Sequence, residues 1–144
     1  MFWEQMQVGQ MMVFAYLVGD PQSGEALVID PADETEDIIA RAKKNNLQIK
    51  YIVNTHGHVD HISGNSDMKK LTGAQIIVHE DDAYRLTTTP ASLLAMFNAK
   101  ASPAADITVK DGDQIRVGDV TLNVLHTPGH SEGSMSLYTN GIVF

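Results

Sequence analysis

The segment Thr55-His56-Gly57-His58-Val59-Asp60-His61 puts four potential metal ligands within six residues. In extended backbone, side chains two positions apart point the same way, so His56 and His58 can converge on one ion. Gly57 between them has no side chain and lets the loop bend tightly. Asp60 and His61 fall where the chain turns toward the next helix, where they can face a second position close to the first. Neutral imidazoles and a carboxylate are the donor set suited to Zn, Mn or Fe. Buried without partners, these groups would be costly, so a metal role outweighs a purely structural one for this cluster. The chain has no cysteine, which excludes thiolate ligands, disulfides and iron–sulfur clusters.

A second cluster is His126-Thr127-Pro128-Gly129-His130-Ser131. Pro-Gly is a turn signal, so one histidine precedes the turn and the other follows it. His130, on the loop, is the better third ligand for the His56/His58 position. His126 ends a strand and is expected to make a structural hydrogen bond. A lone histidine in Val78-His79-Glu80 is read the same way.

Regular elements must hold these loops in place. The first thirty residues read as strands, with apolar runs at Val13–Val18 and Ala26–Ile29 separated by turn chemistry at Gly19–Gly24. Acids open and bases close the stretch Glu34–Lys44, which suits a helix and its macrodipole. Ile49–Val53 reads as a strand leading straight into the histidine motif. Ser66–Leu71 reads as a helix stopped by Gly73, and Gln75–Val78 as a short strand. Glu80–Leu86 can form a helical turn or two. From Asp106 onward the pattern is all-β, with Asp-Gly and Gly-Asp hairpin punctuation. Strands there fall at Ile107–Val109, Gln114–Val117, Val120–Leu125, Ser134–Tyr138 and Ile142–Phe144. Between these halves, Leu93, Leu94, Met96 and Phe97 could line a pocket over the metals. The favoured reading is that Leu93, Leu94 and Phe97 pack a short helix onto the sheet. Trp3 and the Met11-Met12 pair are assigned to core or edge packing.

With 144 residues, the chain has the size of one compact domain, 1–144, able to fold without staples. Its net charge of -8 opposes binding to phosphate backbones or anionic membranes, so no nucleic-acid or membrane partner is expected. No apolar run approaches the ~18 residues of a membrane helix, and the N-terminus lacks a signal-peptide pattern. A cytoplasmic protein is the expectation.

His-x-His-x-Asp-His after a strand, with Thr-Pro-Gly-His roughly seventy residues on, resembles the metallo-β-lactamase superfamily. More narrowly it resembles the glyoxalase II-like hydrolases. The likeness extends to Leu27-Val28-Ile29-Asp30-Pro31, Val53-Asn54-Thr55-His56 and Asp111-Gly112-Asp113. It implies an α+β fold, a four-layer αββα sandwich with metals at one edge of the two sheets. It also implies a first metal site at His56, His58 and His130 and a second supplied by Asp60 and His61. Asp60 would in addition orient the attacking hydroxide. His rather than Arg after Asp60, and the lack of Cys, depart from lactamase subclasses that use Arg and Cys. The family's bridging aspartate and last histidine have no counterpart after His130, where Glu132 is the one acid. Asp30 could approach the site only from behind the ligands. The chain is therefore expected to represent the N-terminal two-thirds or so of the fold, its second sheet left with an open edge that invites a homo-oligomer.

The implied function is metal-dependent hydrolysis of a small thioester or ester, with one or two Zn2+ ions, Fe or Mn being alternatives. Two rival readings accompany it. One is a mononuclear-iron persulfide dioxygenase of the same superfamily, and the other is a metal-binding fragment too incomplete to react.

Overall fold

The computed structural model describes all residues from Met1 to Phe144. Its first sheet has six strands in the order β1-β2-β3-β4-β5-β6. The hairpin β1 (Phe2–Val8) and β2 (Val13–Asp20) is antiparallel, and β2 pairs antiparallel with β3 (Glu25–Ile29). The strands β3, β4 (Gln48–Val53), β5 (Gln75–His79) and β6 (Ile107–Val109) then run parallel. Parallel neighbours need crossovers, and the helices supply them. The helix α1 (Thr35–Lys44) joins β3 to β4, while α2 (Val59–Ile62) and α3 (Asn65–Thr72) join β4 to β5. Both α1 and α3 pack on β4.

The second sheet is an antiparallel meander of β7 (Gln114–Val117), β8 (Val120–His126), β9 (Met135–Thr139) and β10 (Ile142–Val143). Alternation along β3 shows how the layers are sealed. Ala26 and Val28 join the core between the first sheet and the helices, whereas Leu27 and Ile29 join the core between the two sheets. A strand buried on both faces needs an unbroken apolar run, which Ala26–Ile29 provides. On the first sheet's other face, Ile115, Val117, Leu122, Val124, Met135 and Leu137 come from the second sheet.

The described residues form three layers of the αββα arrangement: helices, the six-stranded sheet and the four-stranded sheet. Every helix precedes β6, and the outer face of the second sheet turns Gln114, Arg116 and Tyr138 to solvent. Trp3 belongs to the edge strand β1 and meets the Phe144 ring edge-on at 5.9 Å, whereas Met11 and Met12 are exposed in the β1–β2 turn.

One expectation is corrected. The helix α5 (Ala91–Met96), which follows the short α4 (Arg85–Thr88), does not pack on the sheet: none of its residues is buried, and Met96 is 75% exposed. Its apolar residues are too few and too closely spaced in sequence to form a stripe wide enough to seat a six-residue helix. Leu93 and Phe97 instead wall a groove beside His58 and Asp60.

Candidate metal centre

Chemistry-bearing residues gather at one edge of the sandwich, past the carboxyl ends of β3, β4, β5 and β8. Crevices at such strand ends are where open α/β sheets present their ligand sites. Asp30 follows β3, Thr55 and His56 follow β4, Asp82 follows β5, and His130 lies on the loop after β8. The two sheets are tied together here. Met135 N donates to the Thr55 carbonyl at 3.0 Å. The rings of His79 and His126 stack across the gap with centroids 4.0 Å apart.

The ligand atoms of His56, His58 and His130 all lie within 4.8 Å of one another, as do those of Asp30, His56 and His61. Nδ1 of His58 faces Nε2 of His130 at 3.1 Å. Two nitrogens each ~2.1 Å from a tetrahedral ion stand about 3.4 Å apart, so this pair is already at coordination spacing. His56 is 6% exposed, and its Nε2 is buried with no hydrogen-bond partner. That orphaned nitrogen fits a cation shared with His58 and His130.

Asp30 dictates which nitrogens are free. Thr55 Oγ1 donates its one proton to Asp30 Oδ2 at 2.6 Å, and Thr55 N donates to Asp30 Oδ1 at 2.8 Å. The Thr55 hydroxyl, 3.0 Å from His56 Nδ1, must then accept from it. The lone pair of His56 is thereby placed on the orphaned Nε2. Nδ1 of His61 donates to Asp30 Oδ2 at 2.9 Å, which leaves the His61 lone pair on Nε2 as well. One buried carboxylate thus sets two tautomers, the usual way outer groups orient metal-binding imidazoles. Asp30 does so from a left-handed backbone, φ 48°, that aspartate tolerates better than most residues.

Electrostatics follow the geometry. Burial, then the neighbouring His61 ring, pushes the His56 imidazolium pKa down to about 4. His58 is lowered by burial, by His130 and by the Arg85 guanidinium. Burial alone would also lower His61, but its hydrogen bond to Asp30 and the charges of Asp30 and Asp60 outweigh that and raise it. His56 and His58 are therefore held neutral, the form that binds metals.

Of the residues singled out from the sequence, His56, His58, His61 and His130 come together. Asp60 stands apart from the tight groups, its Oδ2 3.7 Å from His61 Nε2, and lines the groove. Asp30 completes the group with His56 and His61 instead. His126 makes the structural bond expected of it, through Nε2 to the Glu132 carbonyl at 2.8 Å. His79 is buried, and its Nδ1 accepts from Asp81 N.

Asp82 escapes sequence reasoning. It is 0% exposed. Its Oδ2 accepts from Gly57 N at 2.8 Å and from the Ser131 hydroxyl at 2.7 Å, while Oδ1 accepts from Gly133 N at 2.8 Å. Gly57 lies between His56 and His58, and Ser131 follows His130, so Asp82 clamps the two ligand loops together. Burial would raise its pKa, but the Ser131 hydroxyl, the amides of Gly57 and Gly133 and the Arg85 charge outweigh burial and hold it below the usual range. The acidic run Glu80-Asp81-Asp82 gave no sign of which carboxylate turns inward. Gly57 serves a different purpose from the tight bend expected: a Cβ there would stand 2.6 Å from Arg85 Cβ.

The Metallo-beta-lactamase superfamily matches residues 8–141. The chain belongs to this superfamily, whose members bind divalent metals. It is 34% identical to the hydroxyacylglutathione hydrolase of Rhodospirillum rubrum over 125 residues, 87% of this chain and 42% of that one. The fold is similar to that of the BLEG-1 B3 metallo-beta-lactamase, with a TM-score of 0.83 and 28% identity over 95% of this chain and 66% of that one. It is also similar to TTHA1623 in a di-iron-bound form, with a TM-score of 0.79 and 25% identity over 94% and 66%. The chain spans less than two thirds of the length of the curated relatives it matches. No helix is long and apolar enough to cross a membrane.

Proposed function

We propose that the chain is a metal-dependent hydrolase of a small thioester or ester, of the glyoxalase II type. The orphaned, buried Nε2 of His56, set beside the facing nitrogens of His58 and His130, carries this reading. Zinc is the proposed cation, held by those three residues, with Asp60 and His61 toward a second ion; the di-iron form of TTHA1623 keeps iron as the alternative. When bound, such a cation would bring the pKa of a coordinated water down to near neutrality and would polarise a carbonyl. Asp60 lines the groove and orients the attacking water. Asp30, through Thr55 and His61, keeps the imidazole lone pairs turned inward. Asp82 holds the β4 and β8 loops at the spacing the ligands require. The apolar wall of Leu93 and Phe97 excludes water from one side.

The substrate is a small molecule, the proposed location is the cytoplasm, and a homo-oligomer is the proposed assembly. Elemental analysis with a thioester-hydrolysis assay, run on the chain and on His58→Ala, tests the reading. Metal and hydrolysis both lost in the variant are expected. Hydrolysis that survives His58→Ala overturns the ligand assignment, and oxygen uptake with a persulfide in place of hydrolysis overturns the reaction class.

A further inference from the structure

The stretch of chain between β4 and α3 carries His56, His58, Asp60 and His61, and its two ends meet in a pair of asparagines. Asn54 and Asn65 are each 0% exposed. Asn54 Nδ2 donates to Asn65 Oδ1 at 3.1 Å, and Asn65 Nδ2 donates to Asn54 Oδ1 at 2.8 Å, so the two amides close a ring. Asn65 Nδ2 also donates to Ser102 Oγ at 3.1 Å, while Ser102 gives its own proton to the Pro103 carbonyl at 2.8 Å. With that proton committed, Ser102 can only accept from Asn65. The amino group of Asn65 is therefore turned to Ser102, and its oxygen to Asn54.

Each end of the stretch is also anchored beyond the pair. Asn54 N donates to the Ile77 carbonyl at 2.9 Å, which continues the ladder of β4 with β5. At the other end, Ser63 Oγ donates to the Ala32 carbonyl at 2.6 Å. A Cβ on Gly64 would stand 1.8 Å from the Pro31 carbonyl oxygen, so the backbone there lies directly on the turn after β3. Two leucines could fill the place of the asparagines with no polar group to satisfy, and apolar replacement of both partners of a buried hydrogen bond is close to neutral for stability. What the amides add is direction, since a fully satisfied buried network accepts one mutual arrangement of its members.

We infer that Asn54 and Asn65 are positioning residues of the metal centre: their paired amides, oriented by Ser102, clasp the neck of the ligand loop and set the placing of His56, His58 and His61 before an ion arrives. The inference rests on the metal-centre reading, because these residues act through the ligands. Holding the ends of a loop together removes conformational freedom from everything between them. Less ordering is then left for the binding step, and affinity rises accordingly.

The test follows zinc affinity by competition with a chromophoric chelator, the visible bands of the cobalt(II)-loaded chain, and the urea midpoint of the metal-free chain. Asn65→Leu leaves the Asn54 amide buried without a partner, whereas Asn54→Leu with Asn65→Leu removes both amides together. The midpoint is expected to fall in the single variant and to return near that of the unaltered chain in the double variant. Zinc affinity is expected to be about tenfold or more weaker in both, with the cobalt bands shifted. A double variant that binds zinc as tightly as the unaltered chain overturns the inference, because the amides then serve stability alone. If the double variant does not fold, Ser102→Ala decides, since it frees the Asn65 amide without touching the pair. Zinc affinity lowered about threefold or more, the equivalent of one modest hydrogen bond, with a nearly unchanged midpoint upholds the inference. Unchanged affinity overturns it. His58→Ala separates this from the reading beneath it: an unaltered chain with the same zinc affinity and cobalt spectrum as His58→Ala overturns the metal-centre reading itself.

Discussion

Replacing Asp82 by alanine removes the one side chain that holds both ligand loops. Three charge-assisted hydrogen bonds vanish, from Gly57 N, Gly133 N and the Ser131 hydroxyl. The hydroxyl keeps a partner in Ser134 Oγ at 2.9 Å, so its loss is small. The two amides have no other acceptor, and each buried orphan costs about 1–3 kcal/mol. The Arg85 guanidinium also loses its nearest acid. The expected loss is therefore about 3–5 kcal/mol, a large share of a typical domain's ~5–15 kcal/mol. Urea unfolding of the metal-free chain measures it. Zinc affinity, read by competition with a chromophoric chelator, should fall by roughly 10–100-fold because His58 and His130 are no longer held 3.1 Å apart. Asp82→Asn keeps one acceptor oxygen but sets its amide group against a backbone N–H, so it should recover part of both losses. Loss of less than about 1 kcal/mol in the alanine variant, with unchanged zinc affinity, would refute the clamp.

Other consequences are open to direct measurement. Gly57→Ala forces a Cβ to within 2.6 Å of Arg85 Cβ, so it should destabilise by about 1–3 kcal/mol in a denaturation curve and displace α4. For the metal-free chain, His56 binds a proton more readily unfolded, at 6.5, than folded, at about 4. Stability from His56 is thus complete above pH 6.5 and drains away as pH falls toward 4, which a pH series of urea midpoints reveals. His61 has the opposite sign. Its raised pKa gives stability that is complete below 6.5 and is lost as pH rises through the folded value. Asp30→Asn removes the carboxylate charge that helps to raise His61, so the alkaline loss should shrink in the same pH series.

The sequence made much of the frame legible because local chemistry and tertiary structure agree there. Ala26–Ile29 and Ile49–Val53 are apolar enough to be buried on both faces, and they became β3 and β4 with small boundary shifts. The histidines of the site could be named because four potential ligands in six residues have no economical structural use. What stayed hidden depends on approach in space. Asp82 is one of three successive acids, and only the fold shows that it turns inward between two loops. The role of Gly57 comes from Arg85, twenty-eight residues on, rather than from its own backbone. Asp30 was legible as a neighbour of the site, but its control of two tautomers required the Thr55 hydroxyl to be seen between it and His56. The helix α5 misled because a short apolar cluster suits a groove wall as well as a sheet.

X-ray absorption at the zinc edge, on the zinc-loaded chain and on His56→Ala, tests the central claim most directly. The account predicts imidazole nitrogens at about 2.0–2.1 Å around the ion, with one fewer in the variant. A spectrum that is the same in both proteins, or one without imidazole scattering, would contradict it.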